Sequence, residues 1–423
     1  MAVPNPASYT PYFSYRRGRL HCEQVALEAV AREVGTPVYV YSRAAIESAW
    51  RRFDRAFRSV PHTVCYSVKA CSNLAVLRLL ADLGSGFDIV SGGELERLLH
   101  IGVAGDRIVF SGVGKTREEL RAALRAGLKL INIESVEELE MLAEEASRLG
   151  RRVPAAVRVN PDVAAGAHPH ISTGRRLHKF GVDWTEAIAV YRRGHQLRVV
   201  DWQGVSVHLG SQILALRPFR QAVTRLCRLI ECLQREQVQV RYVDFGGGLG
   251  VRYLAERPPS LQAYARLLAS AVGRFGGHLL LEPGRSIVGP AGVLLTRLVV
   301  RKRNGGRLFY VVDAGMNDFL RPALYGAVHP ITPAALAHQR RLVRADIVGP
   351  VCESGDVFLH RWPLPEGLPG ELLVVWGTGA YGFVLSSNYN SRPRPAEVLV
   401  EGKRFRVIRQ RESFADLVRN EIL

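Results

Sequence analysis

Lysine is scarce in this chain of 423 residues: six occur, at positions 69, 115, 129, 179, 302 and 403, against 51 arginines. An arginine cannot form an imine, so any amine nucleophile must be one of those six. No run of about 18 apolar residues occurs, which argues against a transmembrane helix. The first residues carry neither a basic stretch nor an apolar one, so no secretory signal is expected and the cytoplasm is the expected location. The six cysteines (22, 65, 71, 227, 232 and 352) show no C-x-x-C pair and no cysteine/histidine metal spacing. They read as free thiols in a reducing compartment. Internal repeats and low-complexity tracts are absent as well.

Positive charge is in excess, with a formal net charge of +18. The arginines are scattered through predicted helices (Arg51, Arg52, Arg55, Arg58; Arg121, Arg125) beside acidic residues, and no basic run is interleaved with aromatics. That pattern favours a solvated basic surface over a nucleic-acid site, and it would attract anionic substrates. The length suggests two domains.

From residue 38 the chain alternates strand and helix. Strands are expected at 64–70, 86–90, 107–111, 129–134, 155–160, 204–208, 242–245 and 278–282, with 38–41 leading into a helix capped by Ser42. Thr116-x-x-Glu119, Ser135-x-x-Glu138 and Ser91-x-x-Glu94 read as capping boxes, and Gly127 and Gly150 stand where helices end. Eight strand–helix units in about 220 residues indicate a (β/α)8 barrel spanning 36–286. A doubly wound sheet would usually show a G-x-G-x-x-G after its first strand, and none is present. After Arg285 the rhythm changes to strands without crossover helices, including a turn at Glu401-Gly402. Residues 287–423, joined by the N-terminal hairpin of 1–35, are expected to form an antiparallel β domain.

Active sites of such barrels lie at the C-terminal ends of the strands. There the sequence places Lys69, then Asp88 with Ser91 and Glu94, then His208 and Ser211, then Gly246, Gly247 and Gly248, and finally Glu282, Gly284 and Arg285. Lys69 reads either as a solvated strand end or as an amine that attaches a carbonyl cofactor. The glycine run reads either as a tight turn or as a close-approach cradle for a phosphate, at the loop where these barrels bind one. Glu282 is either a carboxylate paired with an arginine or the partner of a pyridinium nitrogen. His208 is either a satisfied barrel histidine or a ring that lies flat on an aromatic group. An attachment lysine, a phosphate cradle and a pyridinium carboxylate together specify pyridoxal 5′-phosphate.

The motifs Tyr66-Ser-Val-Lys-Ala70, Gly86-Phe-Asp-Ile-Val-Ser-Gly-Gly-Glu94, His208-Leu-Gly-Ser-Gln212, Asp244-Phe-Gly-Gly-Gly248 and Glu282-Pro-Gly-Arg285 resemble the fold-type III PLP decarboxylases. Arg321-Pro-Ala-Leu-Tyr325, Cys352-Glu-Ser-Gly-Asp356, Gly379-Ala-Tyr381 and Asn388-Tyr-Asn-Ser-Arg-Pro393 are similar to the diaminopimelate decarboxylases among them. The resemblance implies conversion of meso-diaminopimelate to L-lysine and CO2. It implies that Lys69 carries the cofactor, His208 stacks on its ring and Glu282 pairs with its nitrogen, with Asp88 among the cofactor contacts. Ser211, Gly246, Gly247, Gly248, Gly284 and Arg285 would hold the phosphate, and Tyr381 would touch the cofactor. Arg285, Arg321 and Tyr325 would bind the distal carboxylate, and Glu353 the distal ammonium. Cys352 would be the proton donor, supplied by the partner subunit of a head-to-tail homodimer.

Two departures stand out. Cys71 replaces the asparagine usual two residues after the lysine, and Gly377-Thr378 precedes Gly379-Ala-Tyr where an aspartate is common. A decarboxylase of another carboxylated amine, or a PLP amino-acid racemase, remains an alternative on the same scaffold.

Overall fold

The computed structural model describes residues 10–164, 179–336 and 340–423. The chain forms two compact units. One holds the described residues of 50–250 with Arg257–Gly284; the other holds those up to Ala49, with Val251–Glu256 and the described residues from Arg285.

The first unit is a closed barrel of eight parallel strands: β1 (His62–Ser67), β2 (Gly86–Ile89), β3 (Ile108–Phe110), β4 (Leu130–Ile133), β5 (Val153–Asn160), β6 (Val200–Ser206), β7 (Tyr242–Asp244) and β8 (His278–Leu281). β8 pairs with β1 and closes the ring. A two-residue strand, Val182–Asp183, adds to β5. Strands such as β4, Leu-Ile-Asn-Ile, are buried at every residue, as expected where one face meets the barrel interior and the other the helices. Thr116 and Glu119 close a reciprocal capping box on Arg117–Ala126, and the helix ends on Gly127 at φ 64°. Ser135 caps Val136–Arg148, but Glu138 turns inward to the Lys115 amine at 2.8 Å instead of completing a box. Likewise Glu94 accepts from Val90 N–H rather than from Ser91.

Side chains alternate inward and outward along a strand, so residues two apart share a face. Cys65, Val109, Leu130, Ala156 and Leu280 pack together as an apolar layer inside the barrel. Two residues further along the same strands stand Ser67, Ser111, Asn132, Arg158 and Glu282. The barrel is therefore plugged by hydrocarbon below and lined by polar groups at its mouth.

The strands stop short of the expected ends. β1 ends at Ser67, and Lys69 lies in the 3-10 turn Val68–Ala70. β6 ends two residues before His208, and β8 one residue before Glu282. The reactive side chains stand on the turns just beyond the strands.

The second unit is built on a mostly antiparallel sheet. Its centre is Val38–Ser42, fully buried, antiparallel to Gly292–Asn304 and parallel to Ala396–Glu401. This strand had been expected in a barrel domain beginning at residue 36. The units instead divide after Ala49, and again between Gly284 and Arg285. The helix that follows, Arg43–Phe57, is capped as expected, with Ser42 Oγ accepting from Ala45 N–H at 3.0 Å. Arg307–Val312 and Leu342–Val348 also pair in parallel, because the connection between them is long enough to cross over and carries the helix Arg321–Tyr325. The N-terminal hairpin, Phe13–Arg16 with Arg19–Cys22, makes a small sheet with Val25–Ala26. Its Phe13, Leu20 and Cys22 enter one core with Val293, Val374, Trp376 and Val398. Burying each large apolar side chain there contributes about 1.5–3 kcal/mol. Among the described residues, no helix is long and apolar enough to cross a membrane.

Candidate active site

The barrel mouth encloses a cavity of about 340 Å3, lined by Lys69, Ser111, Arg158, Ser206, His208 and Glu282 among others. Lys69 Nζ donates to Asp88 Oδ2 at 2.5 Å, and Ser67 Oγ donates to the same oxygen at 2.6 Å. Asp88 is fully buried, and its Oδ1 has no partner among the described residues. A buried carboxylate oxygen without a donor is costly, so the position calls for a donor from a ligand or solvent.

Glu282 belongs to a second carboxylate group. Ser111 Oγ donates to its Oε1 at 3.2 Å; Asn132 Nδ2 donates to Ser111 Oγ at 2.9 Å and to Asp244 Oδ2 at 2.7 Å. Asp244 also accepts from Gly246 N–H at 3.0 Å and Ser206 Oγ at 3.1 Å. Burial pushes Glu282 well above the usual carboxyl range, and the charges of Asp244 and Asp88 push it further. Burial raises Asp244 too, but its bonds from Gly246 and Asn132 oppose the shift. Both carboxyls therefore hold a proton more tightly than a free carboxyl does.

The His208 ring is neutral, because burial first, then Arg158 and Lys69, lowers its pKa well below the ordinary value. Its Nδ1 accepts from Gly247 N–H at 3.2 Å and lies 3.7 Å from Glu282 Oε2. That bond leaves the hydrogen on Nε2. The glycine run is dictated by close packing. Gly246 has φ 62°, and a Cβ there would lie 2.4 Å from His208 Nδ1; one on Gly247 would lie 2.2 Å from Glu282 O. The Ser211 loop is laced to this run by Ile213 N–H to Gly248 O at 2.8 Å and Gly250 N–H to Ile213 O at 3.0 Å. At Gly284 a Cβ would meet Ala70 Cβ at 2.8 Å and Ser67 Cβ at 3.0 Å. The barrel unit thus gathers Lys69, Asp88, His208, the glycines and Glu282 around its mouth.

The second unit gathers a different set. Arg285 Nη1 donates to Tyr253 Oη at 2.8 Å, and its guanidinium lies 4.8 Å from the Tyr381 ring centre. Arg321 is 4% exposed, lies 5.4 Å from the Tyr325 ring centre and donates from Nε to His329 Nε2 at 3.2 Å. Burial lowers its pKa, and no ion pair with a carboxylate is found for it among the described residues. The rings of Tyr253 and His329 stand 4.6 Å apart and join the two arginines into one cluster. Gly377, at φ 68°, passes against Tyr253, where a Cβ would come within 2.9 Å of the ring. Thr378 buries a hydroxyl that has no partner among the described residues. Cys71 is buried, and its carbonyl accepts from Tyr66 Oη at 3.1 Å.

Cys352 and Glu353 are exposed on a separate turn. Asn390 Oδ1 accepts from Cys352 N–H at 2.7 Å, and Tyr389 Oη reaches Glu353 Oε2 at 3.5 Å. The turn is pinned by buried Asp356, which accepts from Val351 N–H at 2.8 Å and Met316 N–H at 2.6 Å. Neither Cys352 nor Glu353 bonds to the arginine cluster.

Sequence reasoning missed Ser111, Asn132, Arg158, Ser206 and Asp244 in the barrel, and Tyr253 and His329 in the other unit. Ser111, Asn132 and Arg158 carried a usable signal: each stands two beyond a buried apolar residue on an inward strand face. Arg158 is held by Glu134 at 2.7 Å, itself bound by Gly112 and Gly181 N–H, each at 2.9 Å. No group of three or more His, Cys, Asp or Glu that could hold a metal ion exists among the described residues.

Residues 43–289 match the family model for the pyridoxal-dependent decarboxylase, pyridoxal binding domain. The diaminopimelate decarboxylase of Pseudomonas fluorescens is 49% identical over 97% of this chain and 99% of its own length. That of Vibrio cholerae is 48% identical over 96% and 97%. The crystal structure of diaminopimelate decarboxylase from Helicobacter pylori complexed with L-lysine superposes with a TM-score of 0.90 at 40% identity, covering 93% of this chain and 99% of that one.

Proposed function

The chain belongs to the diaminopimelate decarboxylases, within the pyridoxal-dependent decarboxylases, and from that premise we propose that it removes one carboxylate of meso-2,6-diaminopimelate to give L-lysine and CO2. The observation that carries this reading is the pairing of Lys69 with a buried aspartate at a cavity that Lys69 and the buried Glu282 both line.

The residues at the barrel mouth fit pyridoxal 5′-phosphate. Lys69 offers an amine for covalent attachment. Asp88 Oδ1 lacks a donor among the described residues, and the glycines leave no Cβ where backbone approaches closely. Glu282 lines the cavity and would pair with the ring nitrogen. The neutral His208 ring would lie against the cofactor ring, held by Gly247. Ser211, Gly246, Gly247, Gly248 and Gly284 would surround the phosphate, with Arg285 and Tyr381 completing the set. Bound there, the cofactor would supply the electron sink that takes up the pair left on the α-carbon when CO2 departs.

The chain's own groups do the rest. Asp88 Oδ2, 2.5 Å from Nζ, is placed to take a proton leaving Lys69. Ser111 holds the Glu282 carboxyl through its Oε1, and Asn132 ties Ser111 to Asp244. Arg285, Arg321 and Tyr325 would take the distal carboxylate and Glu353 the distal ammonium, a matched set for a zwitterionic far end. The leaving carboxylate is better placed away from any arginine, since stabilising it would oppose its loss. Cys352 would protonate the α-carbon.

Exposure of Cys352 and Glu353 on an outer turn supports a shared site, in which one subunit of a homodimer supplies both residues to its partner. Exposed Leu324, Val328 and Tyr389 offer apolar surface for that contact. A cytoplasmic location belongs to the same proposal. The test is to incubate the purified protein with pyridoxal 5′-phosphate and meso-diaminopimelate, L-ornithine or L-arginine. Equimolar CO2 and L-lysine from meso-diaminopimelate alone is the expected result. No product, or equal turnover of L-ornithine, contradicts the reading.

A further inference from the structure

We propose that His329 is a positioning residue for substrate selection: it takes the Nε–H of Arg321 and leaves the two Nη groups of that guanidinium as an open fork for the far carboxylate of the substrate. The proposal rests on the reading of Arg321 given above.

The geometry permits one tautomer. His329 Nδ1 lies 2.8 Å from Trp376 O, and a carbonyl only accepts, so Nδ1 carries the hydrogen. Nε2 then presents a lone pair, and Arg321 Nε donates to it at 3.2 Å. A doubly protonated ring could not accept that bond. Burial first, then the Arg321 charge, lowers the His329 pKa to about 3, so the ring stays neutral at any working pH. The ring is also held sideways. Tyr253 stands 4.6 Å from it, and Phe319 meets it edge-on at 4.7 Å and 87°.

The anchor behind the ring is rigid. Trp376 ends the strand Leu372–Trp376, donates its own N–H to Pro330 O at 3.0 Å, and donates its indole Nε1 to Thr332 Oγ1 at 2.9 Å. The chain of bonds therefore runs from a strand end, through a neutral imidazole, to one edge of a guanidinium. Neither Nη group of Arg321 bonds to a described residue.

A guanidinium binds a carboxylate through two parallel N–H groups, either end-on through both Nη or side-on through Nε and one Nη. With Nε engaged, the side-on mode is lost. Tyr325 covers one face of the group at 5.4 Å. What remains is a single fork with one direction. A substrate must carry a carboxylate at its far end, at one distance from the reacting carbon, to fill it. A diamine precursor without that carboxylate leaves a buried fork unpaired, which is the stronger form of rejection.

Three full-length variants, loaded with cofactor, test this: His329→Ala, His329→Gln and Arg321→Gln. Steady-state kinetics with meso-diaminopimelate are read beside the melting temperature of each. His329→Ala is expected to raise KM about tenfold or more while kcat changes less than about threefold. His329→Gln keeps an acceptor and a donor on one group and is expected to recover most of the loss. An unchanged KM in His329→Ala overturns the proposal. So does a parallel fall of KM performance, kcat and melting temperature that His329→Gln does not repair, since that marks a structural role only. Arg321→Gln separates the premise from the inference. If it raises KM and His329→Ala does not, only the role of His329 falls. If Arg321→Gln leaves KM unchanged, the carboxylate reading itself falls.

Discussion

The two units collect opposite charges. The barrel mouth sets buried Asp88, Asp244 and Glu282 against the amine of Lys69, beside an Arg158–Glu134 ion pair that balances itself. The second unit holds two buried guanidiniums, Arg285 and Arg321, set among the rings of Tyr253, Tyr325, His329 and Tyr381. In the barrel, burial and the neighbouring carboxylates raise the Glu282 pKa well above the ordinary range, which makes protonation a way to shed part of the excess. Arginine has no such exit, so the charge on Arg321 waits for an anion. The difference separates the tasks. The carboxylate side handles protons and a cationic ring, whereas the arginine side recognises a negative group that takes no part in the chemistry.

If that division holds, barrel variants act on kcat and cofactor retention, and variants of the second unit act on KM. The largest effect is expected from Lys69→Ala, a loss of about 10,000-fold in kcat, at the top of the range for a positioned proton-transfer group. Borohydride reduction, which fixes cofactor to the wild-type chain, should label this variant not at all; undiminished label would remove Lys69 from its role. Glu282→Gln should lower kcat by about 100- to 1,000-fold, the scale for losing one preorganised electrostatic partner, with cofactor still bound by absorbance. Near-normal turnover there would erase the barrel half of the comparison. Cys352→Ala should slow turnover by about 100-fold and leave cofactor absorbance unchanged. Mixing it with an inactive Lys69→Ala chain should restore about a quarter of wild-type activity if sites are shared, in proportion to the hybrid dimers formed; no recovery speaks against the shared site. Arg321→Gln should raise KM for meso-diaminopimelate by about 10- to 100-fold with little change in kcat, the worth of a charge-assisted hydrogen bond. A fall in kcat without a change in KM would blur the two halves.

The smallest effect concerns stability. Asp318 accepts from Gly315 N–H at 2.8 Å, yet burial raises its pKa to about 7. A carboxyl that binds its proton more tightly when folded stabilises the fold at low pH. That contribution fades as pH rises from the ordinary carboxylate range, near 4, through about 7. Asp318→Asn should therefore flatten the decline in melting temperature between pH 5 and pH 8 (about 1–2 kcal/mol of the slope). An identical decline in both proteins would show that Asp318 is not the group responsible.

Much of the barrel was legible because its signals are local. Strand–helix alternation, capping residues and the terminal glycines are each read over one strand–helix unit, and Lys69, His208 and Glu282 follow from where strands end. The strand Val38–Ser42 was misassigned for a physical reason. Sandwiched between Gly292–Asn304 and Ala396–Glu401, it is buried at all five residues, and a fully buried strand reads the same in a barrel as in a central sheet. Its partners lie more than 240 residues away. Tyr253 and His329 were hidden for a similar reason. One sits in a short segment that leaves the barrel, and the other matters only through its contact with Arg321. The glycines after β7 were legible as special, but their immediate cause is the close approach of His208 and Glu282, which spacing alone does not reveal.

The division between the two units is tested most directly by one ratio: kcat/KM for meso-diaminopimelate over that for L-ornithine, measured in the wild type and in Arg321→Gln at equal cofactor occupancy. The expected result is a large wild-type ratio that falls by about 10- to 100-fold in the variant, with the loss confined to KM for meso-diaminopimelate. A ratio that does not move would contradict the assignment of substrate choice to the arginine cluster.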